Sequence, residues 1–205
     1  MNQETRREDL TKIEQNKKPT SGGLLSHFKD YEVVKELNAQ GGEADNYIIQ
    51  KDENQYFLKL YRKGFNPNIQ LLKNLKEISK KIKQHVVQIY DVGYDEDLQR
   101  YYEILEYIEN GDLSTLKEEL VHYPQQKKEK IIDTIIKEVY LALKSLHENN
   151  IIHRDLKPKN ILIRNKEPLN LVLIDFGISR TLDEELSKIV CLKVKLQTQT
   201  KKINR

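Results

Sequence analysis

The chain has a single cysteine, Cys191, so it can form no internal disulfide and has no second thiolate with which to build a metal cluster. Proline and glycine are sparse, 5 and 8 in 205 residues, which excludes a collagen-like repeat and argues against disorder throughout. No apolar run approaches the length that crosses a bilayer, and the N-terminal MNQETRREDLTKIEQNKKPT lacks the hydrophobic segment of a secretory signal. A soluble chain that stays in the cytoplasm, with no membrane partner, is the expectation. Nor is there a large excess of one charge: 35 Lys and Arg face 32 Asp and Glu. The basic surplus is local, because no acid follows Glu185, whereas Lys188, Lys193, Lys195, Lys201, Lys202 and Arg205 do. Such a tail is not the folded basic face with stacking aromatics that reads nucleic acid, and no nucleic-acid partner is expected.

What is present is a globular composition, 38% hydrophobic and 33% charged. Residues 1–27 are polar, end in PTSGG and read as a flexible leader with a short helical stretch around Leu10–Glu14. From Phe28 the pattern changes. Tyr31–Leu37, Tyr47–Gln50 and Gln55–Tyr61 read as strands, the first two around the turn-forming NAQGGEAD. Leu71, Leu72, Leu75, Ile78 and Ile82 recur at helical spacing, and Val86–Val92 and Arg100–Tyr107 are two further strand candidates separated by GYDEDLQ. The pattern predicts an antiparallel sheet of about five strands with one helix against it. After ENGD the texture becomes helical, with Leu113–Leu120, then Pro124, then Ile131–Leu146 carrying Ile132, Ile135, Ile136, Val139, Leu143 and Leu146 on one stripe. An α+β chain of two lobes results, with domains at 28–107 and 108–185 and a basic tail at 186–205.

The segment IIHRDLKPKNILI, from Ile151, sets His, Arg, Asp, Lys and Asn in a short polar stretch between apolar residues, and LVLIDFG follows at 171–177. Asp155 and Asp175 each stand near the end of an apolar run, where a carboxylate is costly to bury unless paired or bound to metal. Either segment alone reads equally well as a capped turn. The two together, in order after a two-lobe pattern, resemble the eukaryotic-type protein kinase family: HRDLKPKN at 153–160 is similar to its catalytic loop and DFG at 175–177 to its magnesium-binding turn. The KP within the loop is typical of members directed to serine and threonine.

The resemblance covers about residues 31–185 and implies a protein-kinase-like fold using ATP and Mg2+. Asp155 would accept the proton of the substrate hydroxyl, Lys157 would offset charge on the transferring phosphate, and Asn160 and Asp175 would hold Mg2+. His153 and Arg154 would be scaffold. YFLK at 56–59 stands at the place of the strand-borne lysine, so Lys59 would reach the α- and β-phosphates. Glu77 is the default helix partner of Lys59, although Lys80 and Lys81 beside it also suit a solvent-facing carboxylate. With Asn46 at the usual Val position, the glycines of the nucleotide-covering loop fall at Ala39, Gly41 and Ala44, with Gly42 as an extra permissive residue. YYEILEYIENGDL at 101–113 resembles the strand entering the connection between lobes; Leu105 would be the gatekeeper, the backbones of Glu106 and Ile108 would address adenine, and Asp112 would approach the ribose.

After DFGISR the family pattern leads to A-P-E and further helices, whereas this chain reads TLDEELSKIVCLKVKLQTQTKKINR. The expectation is an incomplete large lobe whose helix at 131–146 keeps an uncovered apolar face, a partner that covers it, and transfer below detection for the chain as written. A shifted reading frame beyond Leu186 is expected to account for the change in composition. Two functions stay open: a serine/threonine kinase acting on a protein substrate, and a noncatalytic remnant or nucleotide-binding interaction module. A small-molecule kinase is a lesser alternative.

Overall fold

The computed structural model describes residues 28–37 and 42–183. The expected leader at 1–27, Ala39, Gly41, Cys191 and the tail at 186–205 lie outside the described residues. The described residues divide into two units, one made of those up to Lys80 together with Gln88–Tyr107, the other of Lys81–Val87 together with those from Ile108.

In the first unit, β1 (Glu32–Leu37), β2 (Ala44–Lys51), β3 (Asn54–Tyr61), β4 (Ile89–Asp95) and β5 (Arg100–Glu106) form one antiparallel sheet in the order β1-β2-β3-β5-β4. Side chains alternate between the faces of a strand. One face gathers Phe28, Tyr47, Ile49, Leu58, Leu60 and Ile104 into a buried core, against which Tyr31, Tyr56 and Tyr102 pack. By the same alternation Lys59 and Tyr61 share the opposite face with Glu103, which pairs with Lys59 across the β3–β5 ladder. Helix α1 (Ile69–Lys81) buries Leu71, Leu72 and Leu75. It is tied to β4 by Lys76 Nζ donating to Asp91 Oδ1 at 2.8 Å and by the Ile89 amide donating to Ser79 Oγ at 3.2 Å.

The first core face also holds an ion pair. Arg100, 5% exposed, donates through Nη2 to Asp45 Oδ2 at 2.6 Å and to the Leu60 carbonyl at 2.9 Å, and through Nε to the Tyr61 carbonyl at 2.6 Å. Asp45 is 2% exposed. Burial, and then the Asp45 charge, push the Tyr47 hydroxyl up to about 12.

The second unit starts its helices with α2 (Leu113–Leu120), capped by Asp112, whose Oδ1 accepts from the amides of Ser114 at 2.7 Å and Thr115 at 3.3 Å. Gly111 before it has φ +80, and a Cβ there would stand 2.8 Å from Thr115 Oγ1, so glycine is required. Helix α3 (Gln125–Glu148) begins directly after Pro124, earlier than the apolar stripe alone predicts, because a proline fits a helix start. It buries Ala142 and Leu146 but leaves Ile132, Ile136 and Tyr140 at 47%, 62% and 63% exposure. Strands β6 (Ile151–Ile152) and β9 (Arg180–Thr181) pair with each other, and β7 (Ile161–Lys166) and β8 (Leu169–Leu173) form a hairpin.

The strand expected at Val86–Val92 is displaced to Ile89–Asp95. The reason is long-range: the Val87 amide donates to the Leu173 carbonyl at 3.0 Å and the Leu173 amide to the His85 carbonyl at 2.9 Å, so residues 85–87 pair with β8. Gly93, Tyr94 and Asp95, expected in a turn, belong to β4. The helix expected to reach Ile82 ends at Lys81. Among the described residues no helix is long and apolar enough to cross a membrane.

Candidate active site

The β7–β8 hairpin sets the geometry of the candidate site. Its register pairs Ile161 with Leu173, so the residues just beyond its open end, Asn160 and Ile174–Asp175, are neighbours. The Ile174 amide donates to the Asn160 carbonyl at 3.0 Å. Asn160, 5% exposed, closes a short 3-10 turn that starts at Pro158. Its Nδ2 donates to the Asp155 carbonyl oxygen at 2.9 Å and to Asp155 Oδ2 at 2.8 Å. Lys157 Nζ donates to the same Oδ2 at 2.6 Å. Asp155, Lys157 and Asn160 are thereby brought together, with Asp175 one residue beyond the Ile174 contact.

The Lys157 ammonium, helped by the Asn160 amide, holds the Asp155 carboxyl below the usual carboxylate range. At neutral pH it is an anion, and with 30% of its side chain exposed it remains reachable by a hydroxyl. Arg154 and Asp175 both have positive φ, +68° and +67°, the left-handed region that non-glycine residues rarely adopt. Strain of this kind persists only where surrounding bonds over-determine the backbone, and here it brackets the polar group.

His153 supplies much of that determination. It is 2% exposed and accepts at Nδ1 from the Asp155 amide at 3.2 Å, which leaves Nε2 as the protonated nitrogen that donates to the Ile174 carbonyl at 2.8 Å. Its ring lies 5.1 Å from that of Phe176, and Ser179 Oγ donates to its carbonyl at 2.9 Å. One neutral imidazole thus ties the turn that carries Asp155 to the turn that carries Asp175. Burial, the largest influence, lowers its pKa below 6.5. The unfolded chain therefore binds more protons than the folded one between the two values, and stability rises with pH across that window. Stability is expected to fall as pH drops below 6.5, and His153→Gln is expected to flatten that slope in denaturant titrations at successive pH values. An unchanged slope in the variant would remove the buried neutral imidazole from the explanation.

The other expected site residues are placed as follows. Lys59 is half-buried on β3, with Nζ 4.8 Å from the centre of the Tyr61 ring. Glu77 lies on α1 with 66% of its side chain exposed, and Lys80 Nζ donates to both its carboxylate oxygens at 2.9 and 2.8 Å. Gly42 sits in a bend before β2 with nothing within 4 Å of an added Cβ. Leu105 is 8% exposed on β5, and the Glu106 amide donates to the Gln88 carbonyl at 2.9 Å. Ile108 is half-buried where the chain re-enters the second unit. Asp112 already has one carboxylate oxygen on the α2 cap.

Sequence reasoning did not single out Ser179 or Glu103. No local signal marks Glu103, because β5 (RYYEILE) also carries Arg100 and Glu106; what singles it out is its register opposite Lys59.

The sheet-and-helix unit, the HRDLKPKN turn and the hairpin that carries DFG define a protein-kinase-like chain. The protein kinase domain model matches residues 40–200, and the chain belongs to that family. The match takes in residues beyond Glu185, where similarity was expected to fade. It is 31% identical over 184 residues to the "Probable serine/threonine-protein kinase fhkA" of Dictyostelium discoideum, covering 80% of this chain and 29% of that protein. With the human "Serine/threonine-protein kinase ULK3" it shares 39% identity over 105 residues, 51% of this chain and 21% of that one. The chain therefore spans less than a third of the length of either relative. Among solved structures it is similar in fold to the Cydia pomonella granulovirus kinase PK-1, with a TM-score of 0.61 and 22% identity over 77% of this chain and 57% of that chain.

Proposed function

We propose that this chain, with a protein partner covering the exposed face of α3, binds ATP with Mg2+ and transfers the γ-phosphate to a serine or threonine hydroxyl of a protein substrate, in the cytoplasm. The observation that supports this most is the hydrogen-bonded group of Asp155, Lys157 and Asn160 held beside Asp175. Phosphoryl transfer demands an oriented nucleophile and compensation of charge on the transferred oxygens. Asp155, anionic, accepts the hydrogen bond of the incoming hydroxyl and takes its proton. Lys157, already against that carboxylate, places a cation where the phosphate oxygens gather charge.

Asn160 and Asp175 offer an amide and a carboxylate oxygen, hard donors of the kind Mg2+ accepts alongside phosphate. These two residues would hold the ion, which would supply positive charge to offset that of the transferring phosphate. Lys59 pairs with the α- and β-phosphates. By the family resemblance Gly42 would lie near the phosphates, the backbones of Glu106 and Ile108 would address adenine, and Asp112 would approach the ribose. A protein partner for Ile132, Ile136 and Tyr140 belongs to the same reading, since apolar side chains at one helical spacing are a docking pattern.

Lys59→Met is expected to weaken ATP binding about 10-fold or more while leaving adenosine affinity unchanged, because the lysine serves the phosphates alone. Calorimetric titration of both ligands checks this, and equal losses for the two would sink the role given to Lys59. ATP binding without transfer would favour the second reading, a nucleotide-binding interaction module.

A further inference from the structure

We propose that Glu103 of β5, in place of Glu77 of α1, is the carboxylate that pairs with the Lys59 ammonium, which makes it a positioning residue for the phosphate-binding lysine. The proposal rests on the reading of Lys59 given above. Its first support is register: Lys59 and Glu103 are directly opposite in the antiparallel β3–β5 pair, so their side chains leave the same face from Cβ atoms about 4.5–5.5 Å apart.

Burial is the second support. Glu103 is 3% exposed, and a carboxylate removed from water is tolerated when it has both a cation and hydrogen bonds. One hydrogen bond comes from the Tyr61 hydroxyl. Tyr61 also lies on the Lys59 side of β3, and the Lys59 ammonium stands 4.8 Å from its ring centre. One aromatic ring therefore touches both partners, its face toward the cation and its hydroxyl on the acid. The one cation of β5 itself, Arg100, is on the opposite face by strand alternation and is engaged with Asp45.

Glu77 is a poor competitor. Its carboxylate is 66% exposed and bonded to Lys80 on its own helix, and such surface pairs do little to fix a distant group. In kinases the strand lysine is held by a helix glutamate, so helix position controls whether the lysine is in place. A pair made within one sheet frees Lys59 from that control, because β3 and β5 are joined by ladder hydrogen bonds whatever α1 does.

The test is a titration of the Lys59 side chain by 13Cε NMR in the nucleotide-free chain, in the wild type and in Glu103→Gln, Tyr61→Phe and Glu77→Gln. Loss of a buried anion partner is expected to lower the Lys59 pKa in Glu103→Gln by about one unit or more, with a smaller fall in Tyr61→Phe and none in Glu77→Gln. In parallel, Glu103→Gln is expected to weaken ATP binding about 10-fold and leave adenosine binding alone, whereas Glu77→Gln changes neither. Should Glu103→Gln fold poorly, the Lys59→Met/Glu103→Met double variant, with both charges removed, is expected to recover stability relative to Glu103→Met alone. A Lys59 pKa that responds to Glu77→Gln and ignores Glu103→Gln, or a double variant no more stable than the single one, would overturn the proposal. If Lys59 titrates as expected while Lys59→Met spares ATP binding in the wild-type background, the pairing stands and the phosphate role of Lys59 fails.

Discussion

Asp155→Asn is expected to lower phosphoryl transfer to a generic protein substrate about 10²–10⁴-fold, the usual worth of one positioned proton acceptor, while ATP affinity stays within about twofold. The substitution is nearly isosteric. An amide oxygen at this position can still accept from Asn160 Nδ2 and Lys157 Nζ, which now donate to Asp155 Oδ2 at 2.8 and 2.6 Å, so the loop keeps its local bonds. What is lost is the negative charge and the capacity to take a proton. Transfer assays with radiolabelled ATP, run beside calorimetric binding, separate the two effects. A variant that keeps wild-type transfer would remove Asp155 from the chemistry, and one that loses ATP binding would make it part of the nucleotide site instead.

The largest stability effect is expected from Arg100→Met. Removal of one partner from a buried ion pair costs about 3–5 kcal/mol, because the remaining charge is left in a low-dielectric interior. Asp45 would be that charge: it is 2% exposed, its Oδ1 has no hydrogen-bond partner among the described residues, and Arg62 Nε approaches no closer than 3.9 Å. The guanidinium also satisfies the Leu60 and Tyr61 carbonyls, which would lose their donor. Against a typical folding margin of about 5–15 kcal/mol, such a loss leaves little. Urea unfolding measures it. The Arg100→Met/Asp45→Leu double variant is expected to regain much of the difference, since paired charges replaced together by apolar groups leave none unsatisfied. A single variant within about 1 kcal/mol of wild type, the range of a surface pair, would show that Asp45 does not depend on Arg100.

The parts of the fold legible in the sequence are those written locally. Leu71, Leu72 and Leu75 recur at helical spacing and are buried on α1, and the alternating Gln55–Tyr61 becomes β3 with little change of boundary. The order of Lys59, Asp155, Asn160 and Asp175 is legible for the same reason, because the motif around the last three is contiguous or nearly so. Val86 and Val87 show the limit. Their apolar, β-branched pattern extends the strand around Ile89, but their partner is Leu173, which no local pattern identifies.

Asp112 carries a readable helix-start signal, an acid before LSTL, yet resemblance directs attention to the ribose and away from the cap it forms. Glu103 is opaque in another way. A glutamate between Tyr102 and Ile104 is unremarkable until the register sets it opposite Lys59. His153 belongs with it: its neighbours in sequence suggest a scaffold residue, while the bond that makes it one reaches the carbonyl of Ile174.

The central claim is that the chain holds ATP through Mg2+ with Asn160 and Asp175. Calorimetric titration of ATP with Mg2+ present, and again with the ion chelated, tests it most directly when repeated on Asn160→Ala and Asp175→Ala. Binding in the wild type is expected to strengthen about 10-fold or more when Mg2+ is added, and each variant is expected to lose that gain while retaining the ion-independent affinity. ATP affinity that is indifferent to Mg2+ in the wild type, or a Mg2+ effect that survives both substitutions, would contradict it.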